Sequence, residues 1–262
     1  MKTLLDKDWS RILGSGRRRG RLLLFLDFDG TLAPIVKHPG AAKLPGSVRR
    51  ILNRLKSLCQ IVIISGRGLQ DVKSRVAMTG VIYVGNHGMQ SSGFKLTASV
   101  RLQKALHQAQ YLPILAQKLH KVLGVFADVI VEDKRLTISI HFRNLPPARR
   151  RAFNAVIHEC REAHRLDPVI WRKGKKIWEI RPKLNWGKGD AVRMIKDRLP
   201  HTYTIVLGDD ETDEDMFRVI GKSGLSIRIG RPRTSHASYC LKSPKEVETF
   251  LKALTGFLGA AK

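Results

Sequence analysis

The sequence predicts an α/β chain: a Rossmann-like parallel-sheet core interrupted by an inserted α+β cap. Two observations carry that expectation. Short apolar runs alternate with helical patterns toward both ends of the chain, as parallel strands covered on both faces require. Between them, strand-like runs come in pairs around one helix, as in a separate α+β unit.

Residues 22–26 form the first apolar run, of buried-strand length, ending in Asp-Phe-Asp-Gly. Residues 47–58 carry Val48, Ile51, Leu52, Leu55 and Leu58 at helical spacing. A second run, 61–64, ends in Ser65-Gly66-Arg67, and a third, 81–84, ends in Gly85-Asn86-His87-Gly88. The fourth, 204–207, precedes Gly208-Asp209-Asp210. Ligands of such sheets bind beyond the carboxyl ends of the strands, and every one of these polar motifs occupies such an end. In the middle, 129–131 pairs with 136–142 and 169–171 with 176–180, with a helical stretch at 149–164 between the pairs. The expected organisation is a core of residues 1–105 and 184–262 with a cap at 106–183.

Composition bounds the function. At 262 residues, with 43% hydrophobic and 27% charged, the chain suits a soluble globular protein with a sizeable core. Asp6 and Asp8 precede any apolar stretch, which argues against a secretory signal. The 22–26 run is too short to span a bilayer. Cys59, Cys160 and Cys240 are odd in number and scattered, so they are expected as thiols in a reducing cytoplasm. The net charge of +26 favours anionic partners. Arg11, Arg17, Arg18, Arg19 and Arg21 form one cluster, and Arg149 to Arg151 a second. Nucleic-acid or anionic-surface binding follows from charge alone. No aromatic interleaving or nucleic-acid motif supports it, so it is not favoured.

The chemistry concentrates in four places. Asp27 and Asp29 are two residues apart at a strand end, so they point to one side and suit cation binding or a nucleophile and acid/base pair. In isolation Asp29-Gly30 would equally suit a plain turn. Every residue from Asp209 to Asp215 except Thr212 is acidic. That run suits a helix start, but in so basic a chain it also suits the oxygen donors of a hard cation. Ser65 offers a hydroxyl, and Lys188, in Asn185-Trp186-Gly187-Lys188-Gly189-Asp190, offers a positive charge in a glycine-flanked loop. Charge on phosphoryl oxygens needs such partners.

In this order the four elements resemble the haloacid dehalogenase superfamily of phosphatases. The resemblance implies a phosphoaspartyl intermediate on Asp27, with Asp29 protonating the leaving alcohol and then activating water. It implies Mg²⁺ held by Asp27, Asp209 and the backbone carbonyl of Asp29, with Asp213 supporting the metal shell. Ser65 and Lys188 would bind phosphoryl oxygens, and the insert stands where that superfamily's type-two cap stands.

Finer pieces are similar to trehalose-6-phosphate phosphatases: residues 26–35, Ile64-Ser65-Gly66-Arg67, residues 85–88, His141-Phe142-Arg143, Glu179-Ile180-Arg181-Pro182 and residues 208–217. The family often has Tyr where Phe142 stands, and a shorter Asn-Lys-Gly loop before the lysine. The resemblance implies a phosphorylated disaccharide substrate whose hydroxyls meet Glu132, Lys134, Arg143, Lys175 and Glu179. Carboxylates beside cations supply the paired donors and acceptors that sugars need. Arg67, Asn86 and His87 are further candidates for substrate contact, although His87 could equally be a loop histidine bonded to backbone. Related phosphatases acting on sucrose 6-phosphate, mannosyl- or glucosyl-phosphoglycerate or hexose phosphates would share the core chemistry and differ in the cap.

Overall fold

A computed structural model describes residues 2–3, 21–36, 38–96, 99–174, 176–183, 186–199 and 203–260. Most of the first arginine cluster (Arg11, Arg17, Arg18 and Arg19), Lys175 and Asn185 lie outside the described residues. The chain divides into two compact units, Met1–Thr97 with Gly187–Lys262, and Ala98–Trp186. The boundary at 97 comes earlier than the expected 105 because the helix Val100–Ala109 packs on a strand of the second unit.

The first unit is built on an eight-stranded sheet. Its strands are β1 (Lys2–Thr3), β2 (Leu22–Asp27), β3 (Gln60–Ile64), β4 (Ile82–Gly85) and β5 (Gln90–Ser92). After the insert come β10 (Tyr203–Gly208), β11 (Leu225–Ile229) and β12 (Tyr239–Leu241). The order is β1-β12-β11-β10-β2-β3-β4-β5, parallel throughout except for the antiparallel β4–β5 pair. β2 is buried along its whole length. Leu22, Leu24 and Leu26 join one core with α1 (Gly46–Leu55) and α8 (Pro244–Gly259). Leu23 and Phe25 face the other core, with α6 (Lys188–Arg198) and α7 (Glu214–Ile220). Helices on both sides explain why the strand is apolar at every position from Leu22 to Leu26 rather than at alternate ones. α2 (Leu69–Val76) follows β3 and buries Val72 and Val76.

The second unit carries a four-stranded antiparallel sheet in the order β6 (Ile130–Asp133), β7 (Ile138–His141), β9 (Ile177–Pro182), β8 (Val169–Gly174). Val131, Ile138, Ile140, Trp178 and Ile180 form a core with residues of α4 (Leu112–Leu123) and α5 (Arg150–Ala163). The helix α3 (Val100–Ala109) opens this unit, its N-terminus capped by Ser99 Oγ accepting from Leu102 N at 3.1 Å. Among the described residues no helix is long and apolar enough to cross a membrane.

Candidate active site

β2 delivers Asp27 to the carboxyl edge of the sheet, and the chain must then turn at once. It does so through bonds from Leu32 N and Ala33 N to Phe28 O and from Gly30 N to Ala33 O. Gly30 has φ +79°, and a Cβ there would lie 2.1 Å from Asp209 Oδ2. Only glycine permits both that backbone and that approach. The loops after β2 and β10 therefore touch, which brings two acidic motifs from distant parts of the sequence together.

Asp27 is 4% exposed, Lys188 2% and Asp213 fully buried. Lys188 Nζ, in the first turn of α6, donates to Asp27 Oδ1 and to Asp213 Oδ1, each at 2.7 Å. Asp213 Oδ2 accepts the backbone N–H groups of Asp209 at 2.9 Å and Asp210 at 3.0 Å. Burial alone would favour a neutral lysine, but Asp213 and Asp27 outweigh it and hold the ammonium charged. Burial raises the Asp27 carboxyl well above its usual range. Lys188 opposes that shift, while Asp213 and Asp209 add to it. Burial, followed by the charges of Asp213 and Asp210, pushes Asp209 up to about 7.

Carboxylate oxygens of Asp27, Asp209 and Asp213 all lie within 4.8 Å of one another. Three acids against one lysine leave an excess of negative charge in a buried place, which is costly without a further cation. The donors are all hard oxygens, so the residues present fit a magnesium-type ion. The carboxylate of Asp29 is not in this cluster. It is 40% exposed and turned to Arg67, which donates from Nε to Oδ2 at 2.6 Å and from Nη2 to Oδ1 at 2.7 Å.

The next two strands supply the neighbouring polar groups. Ser65 Oγ, almost wholly buried, accepts from Arg67 N at 3.1 Å. Asn86 and His87 both adopt left-handed backbone, φ 48° and 54°, a costly conformation usually kept where function fixes it. Their amides bond back to the preceding loop, Asn86 N to Arg67 O at 2.7 Å and His87 N to Ser65 O at 3.1 Å. Asn86 Nδ2 donates to Gln90 Oε1 at 2.8 Å. The His87 ring lies against Gly66, where a Cβ would come within 2.3 Å of Cε1.

In the second unit Glu132, Ser139 and Glu179 are paired in register across β6, β7 and β9, so their side chains share one face of the sheet. On it Glu132 Oε2 bonds His141 Nε2 at 2.9 Å, with Lys134 Nζ at 3.9 Å, and Glu179 pairs with Arg181. Arg143 is half-buried just beyond β7. Lys175 lies outside the described residues.

A model of the trehalose-phosphatase family matches residues 25–245. The chain belongs to that family. Trehalose-phosphate phosphatase of Mycobacterium tuberculosis (strain ATCC 25618 / H37Rv) is 36% identical over 247 residues, which cover 88% of this chain and 60% of the relative. This chain therefore spans about three-fifths of the mycobacterial protein's length. Trehalose 6-phosphate phosphatase RA3 of Zea mays is 33% identical over 263 residues, covering 92% of this chain and 71% of that one. Among solved structures, the C-terminal domain of C. albicans trehalose-6-phosphate phosphatase superposes with a TM-score of 0.77. It is 24% identical and covers 97% of this chain and 98% of its own. At that identity the likeness shows a shared fold.

Several residues around these groups have no role assigned from the sequence. Asp71 and Arg75 lie past the Ile-Ser-Gly-Arg motif on an ordinary helix, yet both belong to the ion-pair chain that reaches Asp29. Thr31 sits inside the first motif, and its buried hydroxyl has no hydrogen-bond partner among the described residues. Ser139 joins the polar face of the second unit through strand register, and His141 joins it from within the His141-Phe142-Arg143 piece.

Proposed function

We propose that this chain is a magnesium-dependent phosphatase that converts trehalose 6-phosphate to trehalose and phosphate through a phosphoaspartyl intermediate on Asp27. One observation carries the chemistry: buried Asp27 held 2.7 Å from Lys188, which also grips Asp213. The names of the relatives carry the substrate.

In this reading an Asp27 carboxylate oxygen attacks phosphorus and the bond to the sugar oxygen breaks. Asp29 gives that oxygen a proton. Asp29 then takes a proton from a water as the water attacks the phosphoaspartate, and the bond to Asp27 breaks to release phosphate. Lys188 and Ser65 bind the phosphoryl oxygens, where charge spreads during transfer. Because the Ser65 hydroxyl accepts from Arg67 N, it keeps its own proton to donate. A magnesium ion, held by Asp27, Asp209 and the Asp29 carbonyl with Asp213 behind them, would supply further neutralisation of those oxygens.

Glu132, Lys134, Arg143, Lys175 and Glu179 are the proposed readers of the sugar hydroxyls, and Arg67, Asn86 and His87 the proposed substrate contacts of the first unit. The three cysteines are free thiols, which suits a cytoplasmic enzyme. A phosphate-release panel tests the substrate. Trehalose 6-phosphate should exceed sucrose 6-phosphate and glucose 6-phosphate in kcat/KM by roughly 10-fold or more, since each unpaired buried polar group costs about 1–3 kcal/mol. Equal efficiency on either competitor would reduce the reading to a general sugar phosphatase.

A further inference from the structure

The two carboxylates of the first motif have opposite surroundings. The Asp27 side chain is 5% exposed and meets Lys188, whereas that of Asp29 is 40% exposed and meets Arg67. Three acids already converge nearby, so a further carboxylate on the same turn is repelled unless a cation draws it aside. Arg67 does this with a two-pronged grip, which fixes orientation as well as charge.

An arginine side chain is rotamer-rich, and holding it still has an entropic cost. Here other groups hold it. Nη1 donates to Asp71 Oδ2 at 2.8 Å and Nη2 to Pro39 O at 3.0 Å. The guanidinium lies over the Phe28 ring, 5.6 Å from its centroid. Asp71 is itself clasped by Arg75, whose Nε lies 2.9 Å from both carboxylate oxygens. Arg75 Nη1 anchors the far end on Gly40 O at 2.9 Å and Ala42 O at 2.8 Å. Charges alternate along Asp29, Arg67, Asp71 and Arg75, so every neighbour attracts. Burial would raise the Asp71 carboxyl, but bonds from Arg75 and Arg67 outweigh it and hold it below the usual range.

We infer that Asp71 is a positioning residue for the reaction. By fixing the Arg67 guanidinium, it holds the Asp29 carboxylate clear of Asp27, Asp209 and Asp213 and in one orientation for proton transfer. The inference rests on the acid–base reading of Asp29. It adds a residue four positions past Arg67, outside every motif that resembles the family.

Leaving groups test it. A sugar oxygen leaves poorly and needs a proton, whereas p-nitrophenolate leaves without one. Comparing kcat/KM for the two esters confines the test to the steps through phosphorylation of Asp27. Asp71→Asn should lower kcat/KM for the best sugar phosphate by about 10-fold or more, because small misplacements of a proton donor are costly. The loss on p-nitrophenyl phosphate should stay within about threefold, and Asp71→Glu should regain part of the sugar-phosphate activity. Asp29→Asn, run alongside, should show the same selectivity more strongly. If Asp29→Asn is selective but Asp71→Asn damages both esters equally, or neither, the inference is overturned and the acid–base reading stands. If Asp29→Asn is itself unselective, the acid–base reading falls and the inference with it. Should Asp71→Asn fail to fold, Arg75→Gln loosens Asp71 from its far side and gives the same comparison.

Discussion

Asp213 has no solvent exposure and accepts from three donors: Lys188 Nζ, Asp209 N and Asp210 N. Asp27 shares Lys188 but its carboxylate accepts from no backbone group among the described residues, and burial works against its charge. The two acids should therefore respond differently to loss of charge. Asp27→Asn should reduce turnover to about 1% or less, as removal of a nucleophile does. Its melting temperature without metal should stay the same or rise, because an isosteric amide replaces a buried charge. Asp213→Ala should be inactive and also unstable, by roughly 3–5 kcal/mol, because it takes one of two carboxylates from a buried lysine and strands two backbone amides. Calorimetry of the two variants together with phosphate release checks both statements. An Asp27→Asn protein with substantial turnover would sink the covalent mechanism. At this scale the sequence placed Asp27, Lys188 and Asp209 at loop ends but could not show how Asp213 and Asp29 divide their work. That division depends on the direction each side chain takes.

The strand-end loops are where elements become a site. Gly30 and Gly230 both have left-handed backbone, φ +79° and +85°, yet their surroundings differ. A Cβ on Gly30 strikes the Asp209 carboxylate, whereas Gly230 has open space. Gly230→Ala should cost only backbone strain, on the order of 1 kcal/mol, with activity retained. Gly30→Ala should lose activity far beyond its loss of stability and should need more Mg²⁺ for half-maximal rate. Matching losses of activity in the two variants would show that the β2 loop does not set the position of Asp209. The apolar runs at 22–26, 61–64, 81–84 and 204–207 reappear as β2, β3, β4 and β10, because burial on both faces leaves an uninterrupted apolar signal. β11 and β12 were not singled out from the sequence. β11 is broken by Ser226 and Arg228, and β12 is only three residues long, so neither gives a continuous apolar run of strand length.

Over the whole molecule, folding stability should report the acidic cluster. Asp209 is raised from 3.8 to about 7, and Asp27 is raised as well, in both cases first by burial. Across that window the folded chain keeps protons that the unfolded chain has released, so metal-free stability falls as pH rises from about 4 to about 7. A cation bound by the ionised acids reverses this. Mg²⁺ should therefore raise the melting temperature more at about pH 8 than at about pH 5, and chelator should silence phosphate release. A Mg²⁺ effect on melting that is equal at both pH values would separate metal binding from these carboxylates. Within this cluster acids outnumber lysine, opposite to the +26 balance of the whole chain. Part of that charge sits in the 11–19 segment outside the described residues.

By itself the sequence determined the class of fold, the strand ends on which the polar motifs sit, the acids and lysine available there, and the family. Those features are local: apolar runs, short spacings and glycines survive as patterns of neighbouring residues. The tertiary structure alone decided which groups meet. Lys188 reaches Asp27 across 161 positions and Arg67 reaches Asp29 across 38. It also decided that Asp213, rather than the Asp29 carboxylate, joins Asp27 and Asp209, and that Glu132, Ser139 and Glu179 share a sheet face. The physical reason is that side-chain direction at a loop, and register between strands, follow from packing of segments far apart in the chain, on which spacing along the sequence carries no information.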